Sequence, residues 1–156
     1  MAITAATLTT TVTDSITLNG TTYGNTVTKT HGSVKIVRQQ VITVPTSEVT
    51  LYNTLGTGSG TTFDDDLIVY ARITNTDTSN FVALVLENES GDEFQYKLNA
   101  GTSFLLSAHA NAMEGTAAGA DVTAGTFTDG DDSIKNITAI ANTASVDVEV
   151  LIAATG

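Results

Sequence analysis

A period of two constrains this chain more than any other feature. From Val146 to Ile152 the apolar side chains Val146, Val148, Val150 and Ile152 take every second position, with Asp147 and Glu149 between them. Only an extended strand sorts residues this way, one face buried and the other wet. The same beat runs through Leu67, Val69, Ala71 and Ile73, and again through Phe94, Tyr96 and Leu98. Turn-forming residues close these runs, in Asn75 to Asn80, Ser90-Gly91-Asp92 and Asn99-Ala100-Gly101, the last leading into a strand from Ser103 to Ser107. Phe81 to Leu86 is apolar on both faces, which predicts a central strand or one covered by a neighbouring subunit. Val34 to Val44 reads as strand with its apolar phase slipping at Arg38-Gln39-Gln40, as a bulge or a change of sheet requires. Val49 and Leu51 mark a short strand before the glycine-rich loop 56–60. Ile134 to Ala141 and Val146 to Ile152, joined through Asn142-Thr143-Ala144, read as a closing β-hairpin. Counting about nine strands from residue 34 onward, the pattern predicts an all-β fold, an antiparallel jelly roll or β-sandwich over residues 31–156.

Residues 1–30 are different. Leu8, Val12, Ile16 and Leu18 fall on even numbers within a threonine-dense stretch, and Asn19-Gly20 is a two-residue turn signal. Together they predict a hairpin over residues 12–28. A hairpin this polar is marginal alone. It is therefore read as an extended N-terminal arm or hairpin that lies either on the domain's own sheets or on a neighbouring subunit, with Leu8, Val12, Ile16, Leu18 and Tyr23 as candidate contact residues. The Ala/Gly-rich segment 108–125 predicts a long loop holding one or two helical turns at residues 108–114.

Composition narrows the chemistry. The 156 residues include 30 Thr, 13 Gly and 1 Pro, with neither Cys nor Trp, so disulfides, thiolate metal sites and cysteine nucleophiles are excluded. A net charge of −11 repels phosphate, which makes nucleic acid and anionic membrane poor partners. No segment reaches the roughly 20 apolar residues of a membrane-spanning helix, and the start lacks the basic end and apolar stretch of a secretion signal, so the expectation is a soluble product.

Candidate reactive groups are few. His31 sits in a Thr-His-Gly turn and His109 among alanines, with no Gly-x-Ser-x-Gly elbow to complete a triad and no helical His-Glu spacing for zinc. Asp64, Asp65 and Asp66, like Asp129, Asp131 and Asp132, offer oxygen ligands to a hard cation but miss the EF-hand spacing; solvated loop charge explains them. Glu87 and Glu89 share a strand face, and Tyr23, Tyr52, Tyr70 and Tyr96 have rings that stack on sugars, yet tyrosines more often serve core or interface. Nucleotide-binding glycine loops are missing, and three matches to the glycosylation sequon, at Asn19, Asn88 and Asn136, are read as coincidence. These residues predict no cofactor, no metal and no enzymatic activity.

A resemblance adds to this reading. Leu67 to Asn75 (LIVYARITN), Phe81 to Leu86 (FVALVL) and Phe94 to Phe104 (FQYKLNAGTSF), closed by Ile134 to Ala141 and Ser145 to Ile152, resemble the strand cadence of jelly-roll virion proteins of tailed bacteriophages. The likeness spans about residues 66 to 153. It implies a capsid decoration, or cement, protein: a homotrimer made in the host cytoplasm that sits on the outer surface of the head and binds the major capsid protein. In that family a terminal segment often clasps neighbouring subunits, which makes Leu8, Val12, Ile16, Leu18 and Tyr23 the subunit or capsid contacts to look for. The short length and the want of a long helix or basic inner face set the chain apart from a shell-forming protein. The alternative is a trimeric receptor- or glycan-binding module of a tail or head fibre.

Overall fold

Alternating residues become strands where a second layer can cover their apolar face, and the computed structural model, which describes residues 4–53, 67–106 and 133–155, is built of such strands. Four lie in the N-terminal part: β1 (Ala6–Thr13), β2 (Ile16–Leu18), β3 (Thr21–Tyr23) and β4 (Thr26–Val34). Eight form the body: β5 (Ile36–Val44), β6 (Val49–Asn53), β7 (Ile68–Asn75), β8 (Val82–Asn88), β9 (Glu93–Leu98), β10 (Ser103–Leu106), β11 (Ile134–Ala141) and β12 (Val146–Ala154).

The body strands make two antiparallel four-stranded sheets, in the orders β10-β7-β12-β5 and β6-β11-β8-β9. Strand β5 pairs with β12, β6 with β11, β7 with β10 and β8 with β9, so the first pairs with the last and the sequence closes inward to the middle. One long antiparallel ribbon wound around an axis has this pairing, which defines a jelly roll. The further pairs β12–β7 and β11–β8 knit each wound half into a sheet.

The core fills the space between the sheets. Val146, Val148, Val150 and Ile152 of β12 and Ile73 of β7, each at most 1% exposed, belong to the same buried cluster as Val82 and Leu84 of β8 and Ile137 and Ala139 of β11. Asp147 and Glu149 point away from it, as the alternation requires. Asn75, fully buried at the end of β7, is satisfied by its neighbours: Nδ2 donates to the Asn80 carbonyl (2.9 Å) and the Leu98 carbonyl (3.2 Å), while Oδ1 accepts from the Asp77 N–H (3.0 Å). One side chain thus fixes the predicted 75–80 turn and ties it to β9 in the facing sheet.

Two sequence expectations are corrected. The closing strands β11 and β12 do not form a hairpin; they lie in opposite sheets, and residues 142–145 arch between them. Facing each other across the core buries both apolar rows, whereas a hairpin would need a third layer to cover them. No bulge interrupts β5, because its register with β12 runs unbroken from Val44↔Val146 to Ile36↔Ala154. Arg38 and Gln40 keep the inward phase at the sheet edge, where they stay half-buried, and Val37 and Val41 are left on the outer face, each 64% exposed. Strand β8 lies inside its sheet, between β11 and β9, as its apolar run predicts; Val82, Leu84 and Leu86 are buried and Ala83 and Val85 are half-buried. The predicted helical turns at 108–114 and both loop aspartate clusters lie outside the described residues.

Candidate functional site

The N-terminal strands form one long hairpin, here called the ribbon. From Leu8↔His31 through Thr13↔Thr26 to Leu18↔Thr21 the register never changes, and the backbone N–H of Asp14 donates to the Asn25 carbonyl (2.9 Å) between the two ladders. Asn19 and Gly20, with φ of 52° and 79°, turn the tip with both residues left-handed, the conformation for which Asn-Gly is chosen. The predicted 12–28 hairpin is real and extends to residues 6–34.

Strand parity gives the ribbon two unlike faces. On one, Thr9, Thr11, Thr13, Thr17, Thr22, Thr26, Thr28 and Thr30 are paired across the strands, with hydroxyl contacts Thr11–Thr28 (3.3 Å), Thr13–Thr26 (3.2 Å) and Thr17–Thr22 (3.1 Å). β-branched Thr suits a solvated strand and supports its partner laterally. On the other face fall Leu8, Val12, Ile16, Leu18 and Tyr23, together with Val27, which pairs with Val12 and which the sequence reading did not single out. Its position in the register follows from counting back from Asn19-Gly20, so the signal was present.

Only the root of that apolar face is covered. Leu8 and Val34 pack with Tyr70 and Val69 of β7 and with Leu151 and Ala153 of β12, on the outer side of the sheet β10-β7-β12-β5, and the backbone N–H of Lys35 donates to the Ala154 carbonyl (2.9 Å) where ribbon meets body. His31 is buried in this root with its ring 6.2 Å from that of Tyr70, and its Nε2 has no hydrogen-bond partner among the described residues. Desolvation, aided by the nearby Lys29 charge, holds its pKa below the ordinary histidine value. The sequence reading placed His31 in a turn; it lies in β4.

Beyond the root the ribbon leaves the sheet, and a cleft of about 410 Å³ opens beneath it, lined by Leu8 and Val12 above and by Tyr70, Arg72, Leu105 and Leu151 below. Arg72 pairs with Glu149, which also accepts from Gln39 Nε2 (3.2 Å), so these opposite charges on the outer sheet face each other. Further out, Val12, Ile16, Leu18, Tyr23 and Val27 are 51–63% exposed.

A second hollow, about 490 Å³ and polar, lies at one end of the body among Thr43, Thr76, Asp77, Ser145 and Asp147. Thr43 Oγ1 donates to Asp147 (2.7 Å), and the N–H groups of Asn80 and Ser79 cap Asp77 and lower its pKa. No group of three or more His, Asp or Glu is placed to hold a metal ion among the described residues. Glu87 is engaged by Lys135 (3.1 Å) and Asn136 (3.3 Å) and does not face Glu89 across a cleft. Of the tyrosines, Tyr52 and Tyr70 are buried, Tyr23 is on the ribbon, and Tyr96 stacks obliquely on Phe104 (5.3 Å) at the open edge between β9 and β10.

No known protein family, curated protein or solved structure matches the chain.

Proposed function

We propose that this chain is a structural virion protein, a decoration protein that binds the outer surface of a phage head and stabilises contacts between capsomers. The observation that carries the reading is the ribbon: a hairpin rooted on a jelly-roll body, with five large apolar side chains bare beyond its root. A cement protein works by adding contact area between subunits of a shell, and its parts are a rigid body and surfaces that other subunits cover. The body supplies rigidity through the wound pairing of eight strands, and the ribbon supplies the surface. Nothing in this role requires a reactive group.

The test is co-sedimentation of purified protein with capsids stripped of their decoration protein. The intact chain is expected to pellet with capsids, and the triple variant Ile16→Ser, Leu18→Ser, Tyr23→Ser is expected to stay in the supernatant while keeping its β-sheet circular dichroism. Failure of the intact chain to bind overturns the reading. One observation favours the second reading, a glycan- or receptor-binding module: Phe94 and Tyr96, 55% and 39% exposed, form with Phe104 an aromatic edge suited to stacking on sugars. Binding to host cells or glycans that Tyr96→Ala abolishes, with capsids ignored, would shift the assignment there.

A further inference from the structure

We propose that the root of the ribbon is an acid-sensitive clasp: protonation of His31 lifts Leu8 and the ribbon beyond it off the outer sheet, as an intact hairpin turning about the bulge at Gly32-Ser33, while the body stays closed. The inference concerns how the ribbon is held and is independent of what the ribbon binds. Three features of the root converge on it.

The first is a hinge. Strand β1 advances two residues from Ala6 to Leu8 where β4 runs back three, from Val34 to His31, so Gly32-Ser33 holds one residue too many for the ladder. A bulge of this kind bends a strand pair and interrupts its pairing. Ser33 takes a φ of 58°, in the left-handed region that a residue with a Cβ enters only at a cost. Bend and strain therefore fall on the two residues that separate His31, on the ribbon, from Val34 and Lys35, where the chain joins the body.

The second is a base with no place for a proton. His31 is 7% exposed, its ring stands 6.2 Å from that of Tyr70, and its Nε2 has no hydrogen-bond partner among the described residues. Its own strand presents Lys29 on the same face, and β1 opposite presents Leu8 and Thr10, which carry no charge. From the sheet below, β7 presents Tyr70 and Arg72, and β12 presents Leu151 and Glu149. Arg72 and Glu149 already pair, and Gln39 also donates to that carboxylate (3.2 Å). An imidazolium formed here meets two cations and one carboxylate that is engaged elsewhere. Desolvation, with the Lys29 charge beside it, holds the pKa of the docked group below the ordinary histidine value. Release into water restores the ordinary value, so acid favours the lifted ribbon tenfold for each pH unit between the two.

The third is a small grip. The root cluster has three buried members, Val34, Tyr70 and Ala153, and past Leu8 the ribbon stands over a cleft of about 410 Å³. The ladder from Leu8↔His31 to Thr13↔Thr26 is closed within the ribbon. The bond from the Lys35 backbone N–H to the Ala154 carbonyl lies on the body side of the bulge. Lifting the ribbon thus breaks side-chain contacts and leaves both sets of backbone bonds in place.

The test is an NMR titration of the full chain, whose 2 histidines keep the imidazole signals few. Between pH 7.5 and 5 the His31 ring is expected to titrate below the ordinary value. Cross-peaks from the Leu8 methyls to the Tyr70 ring should fade with it and return on neutralisation, while core methyls such as those of Leu84 and Val148 keep their shifts. His31→Phe and His31→Gln cannot take up the proton and are expected to retain the Leu8–Tyr70 cross-peaks at pH 5; the glutamine variant keeps the comparison open should phenylalanine not seat. Cross-peaks that survive protonation of the ring overturn the clasp, as does a ring still neutral at pH 5. Loss of the cross-peaks in both variants, or core shifts that change together with them, overturns it equally. Capsid binding plays no part in the titration, so its failure leaves the decoration reading standing.

Discussion

At the scale of single residues, His31 shows how a side chain changes meaning once its element is known. In sequence it stands between Thr30 and Gly32, a setting that reads as a turn, whereas the register with Leu8 carries it into β4 and under the ribbon root. Burial disfavours its charged form, so the unfolded chain takes up a proton at a higher pH than the folded one. The sign follows: stability at the root is fully present above the ordinary histidine pKa and is lost as pH falls below it. The drop in melting temperature between pH 7.5 and 5.5 should be larger for the native chain than for His31→Phe, and equal drops would remove His31 from the cause. Asp77 has a depressed pKa, so its contribution is present above the ordinary carboxylate value and is lost only in more acid solution. Asn75 belongs to the same scale. Replacing it by Ala leaves the buried Leu98 carbonyl and the Asp77 N–H without their partners, at a cost of about 2–4 kcal/mol readable by urea denaturation.

Among the elements, strands were far more legible than their pairings. Alternation places a residue on a face, and it placed Val146, Val148, Val150 and Ile152 correctly, but it says nothing of whether the next strand lies beside or opposite. That is why β11 and β12 read as a hairpin and prove to face each other across the core. Leu84 on β8 sits at that core's centre with no exposure, and Leu84→Ala is expected to cost about 2–5 kcal/mol, with a midpoint shift and an unchanged denaturant slope. In the ribbon the decisive residue is Gly24, whose φ of +153° disfavours any side chain and whose added Cβ would overlap the Asp14 carbonyl oxygen. Gly24→Ala should therefore distort the ribbon and leave the body's melting transition unmoved. Amide exchange rising across residues 14–25 alone would bear that out, and a lowered body transition would contradict it.

For the whole molecule, ribbon and body separate energetically. Among the described residues the main buried cluster draws on none before Ile42, while the ribbon root belongs to a smaller one formed by Val34, Tyr70 and Ala153 with Leu8, Val69 and Leu151 beside it. Deleting residues 1–34 is thus expected to leave a cooperatively melting β domain that no longer pellets with capsids. A truncated chain with no melting transition would make the ribbon part of the core. By itself the sequence determined that the chain is all-β, where most strands begin and end, which residues of β12 face inward, and that Asn19-Gly20 turns an N-terminal hairpin. All of these follow from local rules: strand parity, turn dihedrals and the spacing of apolar side chains. Only the tertiary structure decided the winding that pairs β5 with β12, the absence of a bulge at Arg38 to Gln40, and the outward exposure of Val37 and Val41. Those depend on which strand arrives as a neighbour, a long-range choice set by burying the two sheets' apolar faces together, and no local pattern records it.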